Sequence, residues 1–297
     1  QVASEPGREG CGSLISLQRI TRSLMIWAED AMAPGVYPER TGPGTGGGAP
    51  CLFEPPGAPR PAPGGPRIVA RERAIRRRAR RGALHRYTPA MTQPPRVFIT
   101  GGTKGIGRAI AMRFAREGAL VAIAARTSDE LDRTVAEIEA AGGKGEACQA
   151  NLRDHGSLEA AVFRAVDFFG GAMDVLVNNA GLVEFAPFED VDMNSWERFL
   201  GVNLTGPYHV LAEALPALRE SERAHVFNVG AALADAPGKD SVLLATTKAG
   251  LAGMGRALRA DLADDGIRVT TVTPGPTDTP GLEPWRARFE GQSLLTP

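Results

Sequence analysis

Between Arg96 and Thr273, six short runs of β-branched or apolar residues alternate with longer segments whose apolar residues recur at helical spacing. The short runs, bounded by glycine and polar residues, predict strands, and the longer segments predict helices. Strands separated by helices pair in parallel, because each helix returns the chain to the end of the sheet at which the previous strand began. A parallel sheet is buried by helices on both faces. The pattern therefore predicts an α/β fold with a single domain built on a doubly wound parallel sheet.

The predicted strands are Arg96–Thr100, Ala119–Ala125, Gly145–Ala150, Met173–Asn178, His225–Gly230 and Ile267–Thr273. The predicted helices are Ile106–Gly118, Asp129–Ala141, Ser157–Phe169, Asn194–Arg219 and Ser241–Ala263. In sheets of this kind, ligands bind beyond the carboxyl ends of the strands, where the direction of winding reverses. We therefore expect the functional residues in the loops that follow the strands.

The turn after the first predicted strand is rich in glycine. It reads Thr-Gly-Gly-Thr-Lys-Gly-Ile-Gly from Thr100 to Gly107. Without side chains in the way, backbone N–H groups can approach a pyrophosphate, and the positive end of the following helix favours the same anion. The spacing differs from the more familiar G-x-G-x-x-G, so an ordinary glycine-containing turn stays open as the alternative for this motif alone.

Four further motifs follow in order along the chain. Asn178-Asn179-Ala180-Gly181 comes after the fourth strand, Asn203 lies on the long helix, T-T-K-A-G surrounds Lys248, and Pro274-Gly275 follows the sixth strand. Together with the glycine-rich turn, they resemble the short-chain dehydrogenase/reductase family, from about Arg96 to the end of the chain. The resemblance implies a Rossmann-type fold, a nicotinamide dinucleotide, and hydride exchange with a small-molecule carbonyl or alcohol substrate.

The resemblance also implies a cofactor site and two catalytic residues. The implied catalytic residues are Asn203 and Lys248, and Lys248 would also hold the nicotinamide ribose. Adenine contacts usually come from an Asp-apolar pair, which is Asn151-Leu152 here, and an amide oxygen can still accept a hydrogen bond from the adenine amino group. The implied cofactor-binding residues are Gly101, Thr103, Lys104, Gly105, Ile106, Gly107, Arg126, Asn151, Leu152, Asn179, Ala180, Gly181, Lys248, Pro274, Gly275, Thr277 and Thr279.

Charge at the end of the second predicted strand favours NADP(H) over NAD(H). A site that prefers NAD places an acidic side chain there to bind the ribose 2′-hydroxyl, whereas a 2′-phosphate needs cations. Ala125 stands at the acidic position, Arg126 follows it, and Lys104 lies inside the glycine-rich turn. Two cations without a carboxylate predict NADP(H). The alternative is that both are solvated surface charges.

Two catalytic residues of the family are absent. The family uses a tyrosine four residues before the lysine, on the same helix face, and a serine about thirteen residues earlier. Counting back from Lys248 reaches Leu244 and then Ala231, and the single tyrosine after residue 90 is Tyr208, on the preceding helix. We therefore expect impaired or altered proton transfer, with a water held by Lys248 and Asn203 as the substitute acid. The alternative is a catalytically inactive dinucleotide-binding or dimerising protein.

The first ninety residues differ in composition from the rest. They hold 14 arginines and no lysine against 7 acidic residues, a charge of +7 that the remainder balances to a net charge of zero. The Gly- and Pro-rich stretch from Pro34 to Pro66 has no pattern that could offset its ordering entropy. We predict a disordered extension over 1–90, which could lie upstream of the true start at Met91, and a dinucleotide-binding domain over 91–297.

An arginine run from Arg71 to Arg81 has seven arginines in eleven positions. Such a run can attract nucleic acid, but no aromatic residue interleaves the arginines, so a solvated tail is favoured.

No stretch approaches the roughly 18 apolar residues of a membrane-spanning helix, so no membrane partner is predicted. Three scattered cysteines, Cys11, Cys51 and Cys148, predict neither a disulfide scaffold nor a metal site, and indicate a reducing, cytoplasmic location.

The carboxyl-terminal part reaches Pro297 soon after a lid-like stretch that contains Leu282, Trp285 and Phe289. The family normally adds another helix and a last strand, so the sequence suggests an apparently truncated C-terminal end. The resemblance further implies a homo-oligomer, a dimer or a tetramer, paired through the two long predicted helices.

Overall fold

The fold is built on one parallel sheet, which the computed structural model describes within residues 93–297. The strands are β1 Arg96–Thr100, β2 Leu120–Ala125, β3 Lys144–Gln149, β4 Val175–Asn178, β5 His225–Val229 and β6 Arg268–Val272. All neighbouring pairs are parallel, in the order β3-β2-β1-β4-β5-β6. The predicted Rossmann-type doubly wound sheet is thereby confirmed, while the predicted extension over 1–90, with Arg71–Arg81, lies outside the described residues.

The sheet is flanked by six α-helices in the described part of the chain. They are α1 Gly105–Ala115, α2 Ser128–Ala140, α3 His155–Phe168, α4 Met193–Leu200, α5 Gly206–Arg219 and α6 Val242–Asp261. Helix α3 begins at His155, two residues before the predicted start at Ser157. The reason is that Asp154 caps the helix, since its side chain accepts a hydrogen bond from the Ser157 backbone N–H at 3.2 Å. Within residues 93–297, no helix is both long enough and apolar enough to cross a membrane.

The long helix predicted over Asn194–Arg219 is interrupted. A π-helical turn over Gly201–Thr205 joins α4 to α5, and the Gly206 backbone N–H donates to the Gly201 carbonyl. Asn203 lies in this turn and is fully buried. The apolar spacing of the sequence is compatible with either helix type, so the interruption is visible only in the structure.

The core forms on both faces of the sheet, because successive residues of a strand point to opposite sides. In β1, Phe98 packs in a cluster with apolar residues of α3 and α5. Its neighbours Val97 and Ile99 pack in a second cluster with apolar residues of α1 and α2. Each large apolar side chain buried in this way contributes about 1.5 to 3 kcal/mol. These two clusters hold the strand ends in place and so fix the loops that follow them.

An ion cluster holds the amino ends of the central strands. The carboxylate of Asp174 accepts from the side chains of Arg96 at 2.8 and 3.1 Å, of Arg223 at 2.9 Å and of Ser221 at 2.7 Å. Burial alone would raise the pKa of Asp174, but the bonds from Arg96, Arg223 and Ser221 hold it well below its usual range. The charge is therefore paired on the side of the sheet opposite the carboxyl ends.

Next to that cluster, His225 opens β5 with its imidazole buried against the Phe227 ring, at 3.9 Å between centroids. Its Nε2 lies 2.8 Å from the hydroxyl of Thr270. Burial, followed by the nearby positive charges of Arg268 and Arg259, lowers the pKa of His225 to about 3. The imidazole is therefore neutral in the folded protein at every pH above about 4.

Candidate active site

The glycine-rich turn connects β1 to α1 and is packed too closely for side chains. Gly101 and Gly105 have φ values of +67° and +51°, a region that residues with a Cβ rarely adopt. A Cβ on Gly107 would clash with the Gly101 carbonyl and the Asn179 side chain. Backbone N–H groups of Gly105 and Ile106 lie in the first turn of α1, whose end carries a partial positive charge. The turn is thus a cradle of the kind that accepts a pyrophosphate.

Thr100 and Asn179 fasten this turn to the loop after β4. The amide of Asn179 donates to the carbonyls of Thr100 at 2.9 Å and Gly101 at 3.1 Å. In return, the Thr100 hydroxyl accepts from the backbone N–H groups of Asn179 at 3.0 Å and Ala180 at 3.1 Å. Strands β1 and β4 are the neighbours at which the winding reverses. The structure therefore brings the glycine-rich turn and the Asn179-Ala180-Gly181 loop together where such folds bind ligands.

The two predicted phosphate-binding cations differ in their surroundings. Both follow adjacent strand ends, since Lys104 comes after β1 and Arg126 directly after β2. The ammonium of Lys104 lies 2.6 Å from the carboxylate of Glu130. Arg126 is exposed, and its guanidinium forms no ion pair with any residue in the described range. Sequence reasoning missed Glu130, because nothing local links the first turn of α2 to the glycine-rich turn.

Asn203 and Lys248 converge on Gly181. A Cβ on Gly181 would lie 3.1 Å from the Lys248 Nζ and 3.3 Å from the Asn203 Oδ1. The Asn203 Oδ1 accepts from the Leu182 backbone N–H at 2.7 Å, and its Nδ2 donates to the Thr247 hydroxyl at 3.1 Å. These bonds fix the orientation of the amide. Thr247 is a second residue whose role sequence reasoning missed, although its position beside Lys248 is a usable signal.

Lys248 is buried, with 5% of its surface exposed. Its Nζ donates to the Val229 carbonyl at 2.7 Å, which leaves two N–H groups of the charged form for other partners. Burial lowers the pKa of Lys248 to about 8. The side chain is therefore charged at neutral pH and loses its proton more readily than a surface lysine.

Leu244 precedes Lys248 by one helical turn, at the position where the resemblance predicts a tyrosine. Its side chain is 3% exposed and packs in an apolar cluster with Phe185, Phe199 and Leu243. Partly buried residues pack against this cluster, among them Leu233 of the loop that follows Ala231. Position 244, where the resemblance predicts a phenol, is thus surrounded by hydrocarbon, and Ala231 adds no hydroxyl.

The lid-like stretch closes over the same cluster. The 3₁₀-helix Glu283–Phe289 carries Trp285, whose indole N–H donates to the Val183 carbonyl at 3.1 Å. The Trp285 and Phe289 rings lie 5.5 and 6.0 Å from the Phe185 ring, centroid to centroid. A partly exposed aromatic surface therefore covers the side of the site beyond Leu244.

The loop after β6 returns to the glycine-rich turn. The Cγ2 of Thr279 lies 2.9 Å from a Cβ built on Gly105. The Thr277 hydroxyl donates to the Gly275 carbonyl at 3.0 Å, and the Pro274 carbonyl accepts from the Ala232 backbone N–H at 2.9 Å. These contacts place the Pro274–Thr279 loop against both the glycine-rich turn and the loop after β5.

Asn151 and Leu152 follow β3, near the outer edge of the sheet. The Asn151 Oδ1 already accepts from the Arg153 backbone N–H at 3.2 Å. Leu152 is 8% exposed and packs in the core against α3 and α5. In this arrangement the Leu152 side chain is a core residue, so any contact of this residue with adenine would come from its backbone.

Comparisons with known proteins agree with this geometry. A family model described as short chain dehydrogenase matches residues 95–289, about two-thirds of the chain. The 2,5-dichloro-2,5-cyclohexadiene-1,4-diol dehydrogenase LinX of Sphingobium indicum is 34% identical over 183 residues, which are 62% of this chain and 73% of that protein.

Two solved structures are similar in both sequence and fold. A short chain dehydrogenase from Burkholderia cenocepacia, in complex with NADP, is 34% identical with a TM-score of 0.63, covering 69% of this chain and 86% of that chain. The 3-ketoacyl-(acyl-carrier-protein) reductase from Brucella melitensis, complexed with NADH, is 30% identical with a TM-score of 0.62, covering 67% of this chain and 84% of that chain. Similar folds thus hold either form of the dinucleotide.

Proposed function

Because the chain belongs to the short-chain dehydrogenase family, we propose that it is an NADP(H)-dependent oxidoreductase for a carbonyl or alcohol substrate, with altered proton transfer. One observation carries the proposal: the glycine-rich turn, the Asn179-Ala180-Gly181 loop and Lys248 meet at the carboxyl ends of β1 and β4. A polar cradle with a buried lysine at that point suits a pyrophosphate and a ribose.

The residues of the cradle divide by the part of the dinucleotide that they would hold. Backbone groups of Gly101, Thr103, Gly105, Ile106 and Gly107 would bind the pyrophosphate. The cations of Lys104 and Arg126 would bind the 2′-phosphate, Asn151-Leu152 the adenine, and Asn179-Ala180-Gly181 with Lys248 the nicotinamide ribose. The loop after β6 would contact the nicotinamide amide through Pro274, Gly275, Thr277 and Thr279. The absence of a carboxylate at Ala125 supports NADP(H), as does the NADP found in the Burkholderia relative.

A bound nicotinamide would supply or accept the hydride, and the protein must then move one proton at the substrate oxygen. Lys248 and Asn203 are the polar side chains that face Gly181, and both are fixed by hydrogen bonds. We propose that they hold a water that donates this proton. The Lys248 pKa of about 8 suits an ammonium that polarises such a water near neutral pH.

The alternative function is binding of the dinucleotide without turnover. The observation that favours it is the packing of Leu244, which fills the phenol position with an apolar side chain. In that case NADPH would raise the melting temperature of the protein, yet no substrate would be reduced. Loss of a general acid typically lowers the rate about 10²- to 10⁴-fold, so an assay must distinguish slow turnover from no turnover.

Calorimetry with NADPH and NADH tests the binding proposal, and a panel of aldehydes, ketones and quinones tests turnover. We expect binding of both dinucleotides, tighter for NADPH, and slow NADPH oxidation with at least one carbonyl. Binding without oxidation across the panel would support the inactive alternative. No heat with either dinucleotide would refute both functions.

We also propose a homo-oligomer paired through α5 and α6, as is usual in the family. Tyr208 of α5 and Ala249 of α6 are exposed, and Tyr208 exposes 56% of its surface. Sedimentation equilibrium should give a dimer or tetramer mass. Ala249→Arg should shift that mass toward the monomer.

A further inference from the structure

A carboxylate lies against one of the two cations proposed for the 2′-phosphate. Glu130, in the first turn of α2, places its Oε1 2.6 Å from the Lys104 Nζ. The hydrogen bond from Lys104 is the main cause that lowers the pKa of Glu130 below its usual range, and a bond from the Thr103 hydroxyl adds to it. Glu130 is therefore ionised at neutral pH, and its charge sits at the glycine-rich turn.

The second cation, Arg126, lies four residues before Glu130 in the chain. Helix α2 begins at Ser128, two residues after Arg126. Strands β1 and β2 are adjacent and in register, with Thr100 opposite Ala124, so the turn after one strand borders the loop after the other. Through its bond to Lys104, Glu130 links the first turn of α2 to the glycine-rich turn. Any anion bound by Lys104 would thus meet the Glu130 carboxylate.

We propose that Glu130 is a specificity-determining residue, which weakens the preference for NADP(H) over NAD(H) because its carboxylate competes with the 2′-phosphate for Lys104. This inference rests on the proposed dinucleotide site. The pairing of Lys104 with Glu130, together with the repulsion between a carboxylate and a phosphate about 6 Å apart in a solvated corner, lowers affinity roughly five- to tenfold. NAD(H) has a 2′-hydroxyl at this place, so its affinity is nearly independent of Glu130.

The chain offers a matched control. Glu137 lies two turns further along α2 and forms the same kind of exposed pair, 2.7 Å from Arg108 of α1. Glu137→Gln changes the net charge of the protein as Glu130→Gln does, and it also breaks a link between α1 and α2. It differs in its distance from the glycine-rich turn.

The test is calorimetric titration of the full chain and of both variants with NADPH and with NADH. Glu130→Gln should tighten NADPH binding about five- to tenfold and change NADH binding less than twofold, while Glu137→Gln should change neither by more than twofold. In a Lys104→Met background, the gain in NADPH affinity from Glu130→Gln should shrink to about half or less, because the competition for Lys104 is gone.

The outcomes separate the inference from the function on which it rests. If the unmodified chain binds neither dinucleotide, the proposed function and the role of Glu130 are both refuted. If it binds NADPH and Glu130→Gln leaves the ratio of NADPH to NADH affinity unchanged, the role of Glu130 alone is refuted. An equal gain from Glu137→Gln would also refute it, since the effect would then be one of net charge.

Discussion

Introducing tyrosine and serine at the two positions where the resemblance predicts them is the sharpest perturbation of the candidate site. Leu244→Tyr with Ala231→Ser places a phenol one helical turn from the Lys248 ammonium and a hydroxyl on the loop after β5. The nearby positive charge should lower the phenol pKa, as an opposite charge does for any acid. If the rest of the site is intact, the double variant should reduce carbonyls faster than the unmodified chain.

The packing around Leu244 sets the cost of this change. The side chain is 3% exposed and touches the Phe185, Phe199 and Leu243 cluster, so a larger ring overpacks it by about 1 to 3 kcal/mol. A domain with about 5 to 15 kcal/mol of stability survives that loss. The gain in rate from a positioned general acid is about 10²- to 10⁴-fold, or roughly 3 to 5 kcal/mol of barrier. The expected gain therefore exceeds any loss from incomplete folding.

The assay is NADPH oxidation, followed by absorbance, with a panel of aldehydes, ketones and quinones. The control carries Leu244→Phe with Ala231→Ser, which adds the ring and the serine but no phenol hydroxyl. NADPH affinity and melting temperature are measured for both variants. If both are folded and bind NADPH equally, and the tyrosine variant is no faster than its phenylalanine control, the idea of an otherwise intact active site is refuted.

Three further changes test other parts of the structure. Gly107→Ala should abolish NADPH binding in calorimetry, because its Cβ clashes with the Gly101 carbonyl; unchanged affinity would contradict the cradle. Asp174→Asn should lower the free energy of unfolding, measured in urea, by about 3 kcal/mol at pH 7. Below about pH 4 the loss should be smaller, because the wild-type carboxyl takes up a proton on unfolding. An equal loss at both pH values would contradict the charge pairing. Below about pH 6.5 the unfolded state takes up a proton on His225, whereas the folded state, in which the pKa of His225 is about 3, does not; the free energy of unfolding should therefore fall by at most about 3 kcal/mol from pH 6.5 to pH 4. His225→Gln should make this pH dependence weaker. An unaltered pH dependence in the variant would show that other groups cause it.

Local sequence patterns predicted most of the fold. The predicted first strand, Arg96–Thr100, has the observed bounds, because its apolar run is bordered by Pro95 and by glycines. The same logic placed the other strands within a few residues. It did not find the π-helical turn around Asn203, since that turn is stabilised by the backbone of Leu182, 21 residues earlier in the chain.

For the site, the sequence supplied the residue types and their order, while the pairings came from the structure. The resemblance implied that Lys248 and Asn203 belong to one site, and the structure adds that both lie beside Gly181. The Lys104–Glu130 pair joins residues 26 positions apart on different elements, and no periodicity links them. Pairings of this kind depend on the register of β1 against β2, which a single sequence does not specify.

The π-helical turn at Gly201–Thr205 amounts to one extra residue wound into a helix that is otherwise regular. That residue lets a polar side chain turn inward without rotating the flanking turns away from the sheet. Deleting a single position there would restore a regular α-helical turn, so the later side chains of α5 would keep their faces while Asn203 would lose its inward position. The inward position of Asn203 therefore depends on the number of residues in this segment.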